Sequence, residues 1–139
     1  MVVPFGVSVG DFIAGIRLLK GAIDSFSSTR GARADYIELR KCLSALETAL
    51  NAANQFTKPL HQAAIQPIVI DCKACITDFL AKVAKFDMLN GTATTTNNLR
   101  AGLRKVQWSL CEKEKVVEFR HHLSSHISAI QLHLLVFNV

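Results

Sequence analysis

The sequence predicts an all-α fold, an up-and-down bundle of four to five helices, and three observations carry that prediction. Apolar residues recur at alternating steps of three and four along nearly the whole chain, the spacing that lines one face of an α-helix. Proline is scarce, with three in 139 residues, so long helices are permitted. The connections between periodic segments are short, which favours antiparallel neighbours, and strand-type alternation never lasts long enough to compete. Coiled-coil-like stripes predict shallow crossing angles of about 20°.

The first helix is expected over about residues 8–27, on Val9, Phe12, Ile16, Leu19, Ile23 and Phe26. Ser8 and Asp11 form an S-x-x-D start signal, a hydroxyl cap with a carboxylate near the positive helix end. Arg17, Lys20 and Asp24 fall together opposite the apolar stripe, and the run Ser27-Ser28-Thr29-Arg30-Gly31 is expected to break the helix. The second, over about 33–55, has the cleanest rhythm: Tyr36, Leu39, Leu43, Leu46 and Leu50, prolonged by Ala49, Ala52 and Ala53. The third, over about 59–89, is marked by Ile65, Ile68, Cys72, Cys75, Phe79, Val83 and Phe86. Pro67 is expected at its first turn, or else to kink it, because proline cannot donate to the carbonyl four residues back. After Asn90-Gly91 a polar linker leads to a shorter fourth helix, about 97–111, on Leu99, Leu103, Val106 and Leu110. The stripe fails across Glu112-Lys113-Glu114-Lys115 and resumes over about 113–137 with Val116, Phe119, Leu123, Ile127, Ile130, Leu134 and Phe137. That failure reads as a turn, since one unbroken helix would project roughly 60 Å.

All of this makes one domain, residues 1–139. Half of the residues are hydrophobic and 19% are charged, a balance that builds a core and argues against disorder. Sixteen Lys and Arg against eleven Asp and Glu leave a net charge of +5, which draws a protein towards anionic surfaces. No run of five basic residues occurs, so a solvated mixed-charge surface is the plainer account. Eight Phe with one Trp and one Tyr suit a packed interior better than a base-stacking platform, and no nucleic-acid partner is expected. The opening Met1-Val2-Val3-Pro4-Phe5-Gly6 lacks the basic region and small-residue cleavage site of a secretory leader. A cytoplasmic protein with four reduced cysteines is therefore expected, and Asn90-Gly91-Thr92 is a turn rather than a glycosylated sequon. No stretch offers the ~18 uninterrupted apolar residues of a membrane span; Leu123 to Val139 is uncharged but carries Ser, His, Gln and Asn, as a core helix does.

Catalytic motifs are not found. Gly6-Val7-Ser8-Val9-Gly10-Asp11 lacks the lysine and preceding strand of a phosphate loop, no G-x-S-x-G elbow occurs, and no cofactor is implied. Cys72-x-x-Cys75 with His122 and His126 has the residue types of a zinc site. Cys72 and Cys75 belong to the apolar stripe, however, so core cysteines are the expected reading and no metal ligand is assigned. His121, His122, His126 and His133 cluster on the last helix, where bundle-boundary positions explain them better than acid sensing. Arg100, Arg104 and Lys105 flank Gly102 before Trp108; this basic edge faces either solvent or an anionic lipid or partner.

The amino terminus weighs most. Val2, Val3, Phe5, Val7 and Val9 precede the first charge at Asp11, and Gly6, Gly10 and Ala14 stand four apart, the small-x-x-x-small spacing that lets helix backbones approach closely in lipid. Such a leader must be covered by folding, by a partner or by a membrane.

Phe5-Gly6-Val7-Ser8-Val9-Gly10-Asp11-Phe12-Ile13-Ala14-Gly15-Ile16, followed by Leu18-Leu19-Lys20, resembles the start of fungal HeLo-like domains and of related amino-terminal domains of fungal STAND receptors, which are NLR-like. The stretches Leu103-Arg104-Lys105-Val106-Gln107-Trp108-Ser109-Leu110 and Val117-Glu118-Phe119-Arg120-His121-His122-Leu123-Ser124-Ser125-His126-Ile127 carry the same resemblance. It implies a helical bundle that works in innate immunity and cell death beside other receptor domains. It also implies that self-association releases the first helix and its leader from the cytoplasm into the plasma membrane. Carried onto this chain, the inserted residues are Val2, Val3, Phe5, Gly6, Val7, Val9, Gly10, Phe12, Ile13 and Ile16; the basic Arg100, Arg104 and Lys105, read from the sequence itself, would face lipid or partner beside them. The chain departs from the family pattern in that residues 1–139 hold neither a nucleotide-binding domain nor an amyloid motif. The alternative is a soluble interaction or oligomerisation domain that never enters lipid.

Overall fold

The computed structural model describes residues 9–30, 34–83 and 111–137. Among them are four helices and no strand: α1 Val9–Arg30, α2 Ala34–Ala53, α3 Pro59–Val83 and α4 Lys113–Phe137. The fold is all-α, as the periodicity predicts. The shorter helix expected over about 97–111 falls, except for Cys111, outside the described residues.

Local chemistry explains the boundaries. α1 runs on through Ser27, Ser28 and Thr29 to Arg30 instead of stopping at the polar run. Serine and threonine are only mildly unfavourable in helices, and the next element holds this end: Phe26 meets Tyr36 edge-to-face, with ring centroids 5.4 Å apart. α2 closes by tightening, Gln55 donating to the Ala52 carbonyl and Phe56 to that of Ala53, each at 3.1 Å, the three-residue reach of a 3₁₀ turn. The Gln62 side chain donates to the Phe56 carbonyl at 2.8 Å and pins the turn. α3 starts on Pro59, where the missing donor is one the first turn leaves unpaired anyway. The Glu112 carbonyl accepts from Lys115 and Val116 and so opens α4.

Pro67 lies neither in the first turn of α3 nor at an end; the helix continues through it. The apolar stripe of α3 also differs from the expected one. Ile65, Val69, Cys72, Ile76, Phe79 and Leu80 are buried, whereas Ile68 and Cys75 are only half-buried.

Contacts at the ends fix the up-down-up-down order. Phe79 of α3 stacks on Phe119 of α4 at one end (centroids 4.1 Å apart, planes 5° apart). His61 at the start of α3 stacks on Phe137 at the end of α4, also at 4.1 Å, with Phe56 edge-on at 5.5 Å. Among the described helices the most extensive packing is of α2 against α4, followed by α3 against α4 and then α1 against α2. One core runs through all four helices. Phe12, Ile16, Leu19, Tyr36, Leu39, Leu43, Leu46, Leu50, Leu80, Leu123 and Ile130 are completely sealed within it.

Candidate functional site

The membrane-directed residues expected in the first helix are core residues in this fold. Phe12 and Ile16 are fully buried and Ile13 is 3% exposed; Val9 is half-buried and Gly10 exposed. Val2, Val3, Phe5, Gly6 and Val7, and with them Arg100, Arg104 and Lys105, lie outside the described residues. α1 presents its apolar stripe inward because steps of three and four keep those side chains on one face. The ammonium of Lys73, from α3, sits 5.6 Å from the centre of the Phe12 ring, a cation–π contact. Burial lowers the Lys73 pKa, and Asp11 works against that.

The polar side of α1 clamps it to α2. Arg17 and Lys20, expected to share a face, converge on Glu47: Arg17 Nε reaches Oε2 and Lys20 Nζ reaches Oε1, both at 2.9 Å. Glu47 is 17% exposed and Lys20 19%, whereas Arg17 is largely in solvent. Hydrogen bonds from Arg17 and then Lys20 hold the Glu47 carboxyl below its ordinary value, because both stabilise the charged form. Nearer the other end, Arg40 pairs with Asp24 in solvent. The role of Glu47 was hidden in the sequence, although a lone acid in the otherwise uncharged run Leu43 to Ala53 is a signal.

A second feature is a cleft of about 660 Å³ between α3 and α4. Asp71, Cys75 and Asp78 line one wall; Lys115, Glu118, His122 and His126 line the other, and Phe79 and Phe119 also line it. It brings Cys75, His122 and His126 to one place but leaves Cys72 in the core. Among the described residues no group of three His, Cys, Asp or Glu side chains is arranged to hold a metal ion. Burial first, then its neighbours Cys75 and Asp71, push the Cys72 thiol up to about 12. Burial and Asp78 push Cys75 up to about 11. Both therefore remain thiols at neutral pH, and the thiolate is the nucleophile. Cys42 is raised by burial as well; its sulfur lies 3.8 Å from the Arg120 carbonyl and 3.7 Å from Ser124 Oγ.

The third feature is apolar. Leu132, Leu135 and Val136 are 59%, 67% and 59% exposed on α4, although the sequence reading treats this stretch as a core helix. The stretch is apolar on two faces, and only the face with Ile127, Ile130 and Leu134 turns inward. No described helix is long and apolar enough to cross a membrane. No family model matches the chain, and neither a curated protein nor a solved structure matches it.

Proposed function

We propose that the chain is a non-enzymatic signalling module, of the kind its resemblance to fungal cell-death proteins implies, that self-associates and delivers α1 with its apolar leader to an anionic membrane. The observation supporting this reading is the way α1 is held. Its stripe is sealed in the core, yet among the described helices α1 packs mainly against α2, and the ion pairs found between the two lie at or near the surface. The apolar face is thus stored, and α1 must leave α2 before Phe12, Ile13 and Ile16 can meet lipid.

The test is dye release from anionic vesicles by the full chain, free and forcibly clustered through a fused dimerising tag. Clustering is expected to cause release, removal of residues 1–10 to abolish it, and Glu47→Lys to increase it by setting like charges against Arg17 and Lys20. Equal release with and without residues 1–10, or none from the clustered chain, rejects the reading.

A second reading, a soluble interaction module that never enters lipid, is favoured by the exposed Leu132, Leu135 and Val136. Apolar residues grouped on one face mark partner surfaces, and self-association without vesicle binding is its expected outcome.

A further inference from the structure

The outer face of α4 has a pattern that its core role does not use. Ser125, Ser128, Leu132 and Leu135 follow one another at steps of three, four and three, and all four are exposed. At 100° per residue they form one stripe on the side of α4 opposite Leu123, Ile127 and Ile130, which face the core. This is the a/d spacing of a heptad seam, turned outward and filled by two serines and two leucines. Its upper half is small and its lower half large. The whole stretch from Leu123 onward carries no formal charge, although the chain as a whole is positive, at +5.

We infer that this seam binds a second copy of the chain, with the two α4 helices antiparallel about a two-fold axis near Ile130. In that register Leu135 of one copy meets Ser125 of the other, and Leu132 meets Ser128, each pairing occurring twice as two-fold symmetry requires. Large side chains fall on small ones, so the helices approach closely without clashes. A parallel pairing would set leucine against leucine and serine against serine, leaving half the seam loosely packed. The seam itself brings no like charges together, since no Asp, Glu, Lys or Arg stands from Leu123 onward, which matters for two copies that each carry +5. A single helix pair covers less than the ~800 Å² per partner of a standard stable interface, so the pairing depends on concentration and is not obligate. It is independent of whether α1 enters lipid.

Sedimentation of the full chain over a concentration series tests the surface. The average mass is expected to climb from 15.3 kDa towards twice that value, and Leu132→Glu with Leu135→Glu is expected to hold it at the single-chain mass with unchanged helical circular dichroism. Both positions are exposed, so folding does not depend on them. The register has its own test. Ser125→Cys combined with Leu135→Cys is expected to give a covalent dimer on mild oxidation, above the background of the unaltered chain. Neither single variant is expected to do so, because like positions stand about 15 Å apart in an antiparallel pair, beyond disulfide reach. A chain that stays single at every concentration overturns the inference, and so does association that survives both glutamates or crosslinking by a single variant. Vesicle binding lost in the glutamate variant, with no solution dimer, assigns the face to lipid and equally overturns it.

Discussion

Glu47 holds two cations on one carboxylate with little water around it, so its charge state adjusts how firmly α1 is tied to α2. Its folded pKa lies below the ordinary value of 4.5. The stabilisation is therefore complete above the unfolded value, fades as pH falls below it, and is gone once pH passes the lowered folded value. Glu47→Gln should cost about 1 kcal/mol at neutral pH, the upper end for a pair partly screened by solvent because Arg17 is open to it. The variant and the parent should converge in strong acid. Urea midpoints at both pH values read this out; a gap that persists in acid points to packing instead. The cysteines act at the opposite end of the scale. With Cys72 raised from 9.0 to about 12, its contribution is present below the unfolded value and is lost as pH rises through the folded one. The urea midpoint should fall from pH 8 to pH 10, and Cys72→Val should flatten that slope. A parent slope unaffected by the substitution would contradict the assignment.

Among the helices, legibility depended on how many apolar residues compete for the inward face. α2, and α4 as far as Ile130, each carry one dominant stripe, and Tyr36, Leu39, Leu43, Leu46 and Leu50, like Val116, Phe119, Leu123, Ile127 and Ile130, are buried as expected. Leu134 and Phe137, in the part of α4 that is apolar on two faces, are only half-buried. α3 places Ile68, Val69 and Ile70 side by side, and two neighbouring stripes fit equally well; the bundle buries the one through Val69 and Ile76. Contacts between helices are less legible still. Nothing in the spacing of Glu47, or of Asp71 and Asp78, says which helix stands opposite, because that depends on how each helix is rotated about its axis. Pro67 marks the limit of local rules. It lacks the donor for the Ala63 carbonyl, and an interior proline is disfavoured by about 3 kcal/mol, yet α3 passes through it because tertiary burial on both sides outweighs that penalty. Pro67 is itself exposed. Pro67→Ala should therefore stabilise the protein by about 1 to 3 kcal/mol, with a higher thermal midpoint. Unchanged or lowered stability would mean that the backbone around Pro67 has adapted to it.

At the scale of the whole bundle, α1 cannot be a loosely attached arm. Phe12, Ile13, Ile16, Leu19 and Ile23 are each at most 3% exposed, and burying one such side chain is worth about 1.5–3 kcal/mol. Together they contribute on the order of 10 kcal/mol, comparable to the net stability of an entire domain. Detaching α1 from the isolated molecule is therefore equivalent to unfolding it, and the surface ion pairs adjust that equilibrium without governing it. A membrane or a clustered assembly releases α1 only by offering its apolar stripe a comparable surface in the same step. Native-state amide exchange separates the two possibilities for the free protein. The amides between Ile16 and Ile23 should exchange with the same opening free energy and the same denaturant dependence as those of Leu43 to Leu50 in α2. Exchange of α1 at a much lower free energy would show it to be an independent unit, already poised to leave without lipid or partner.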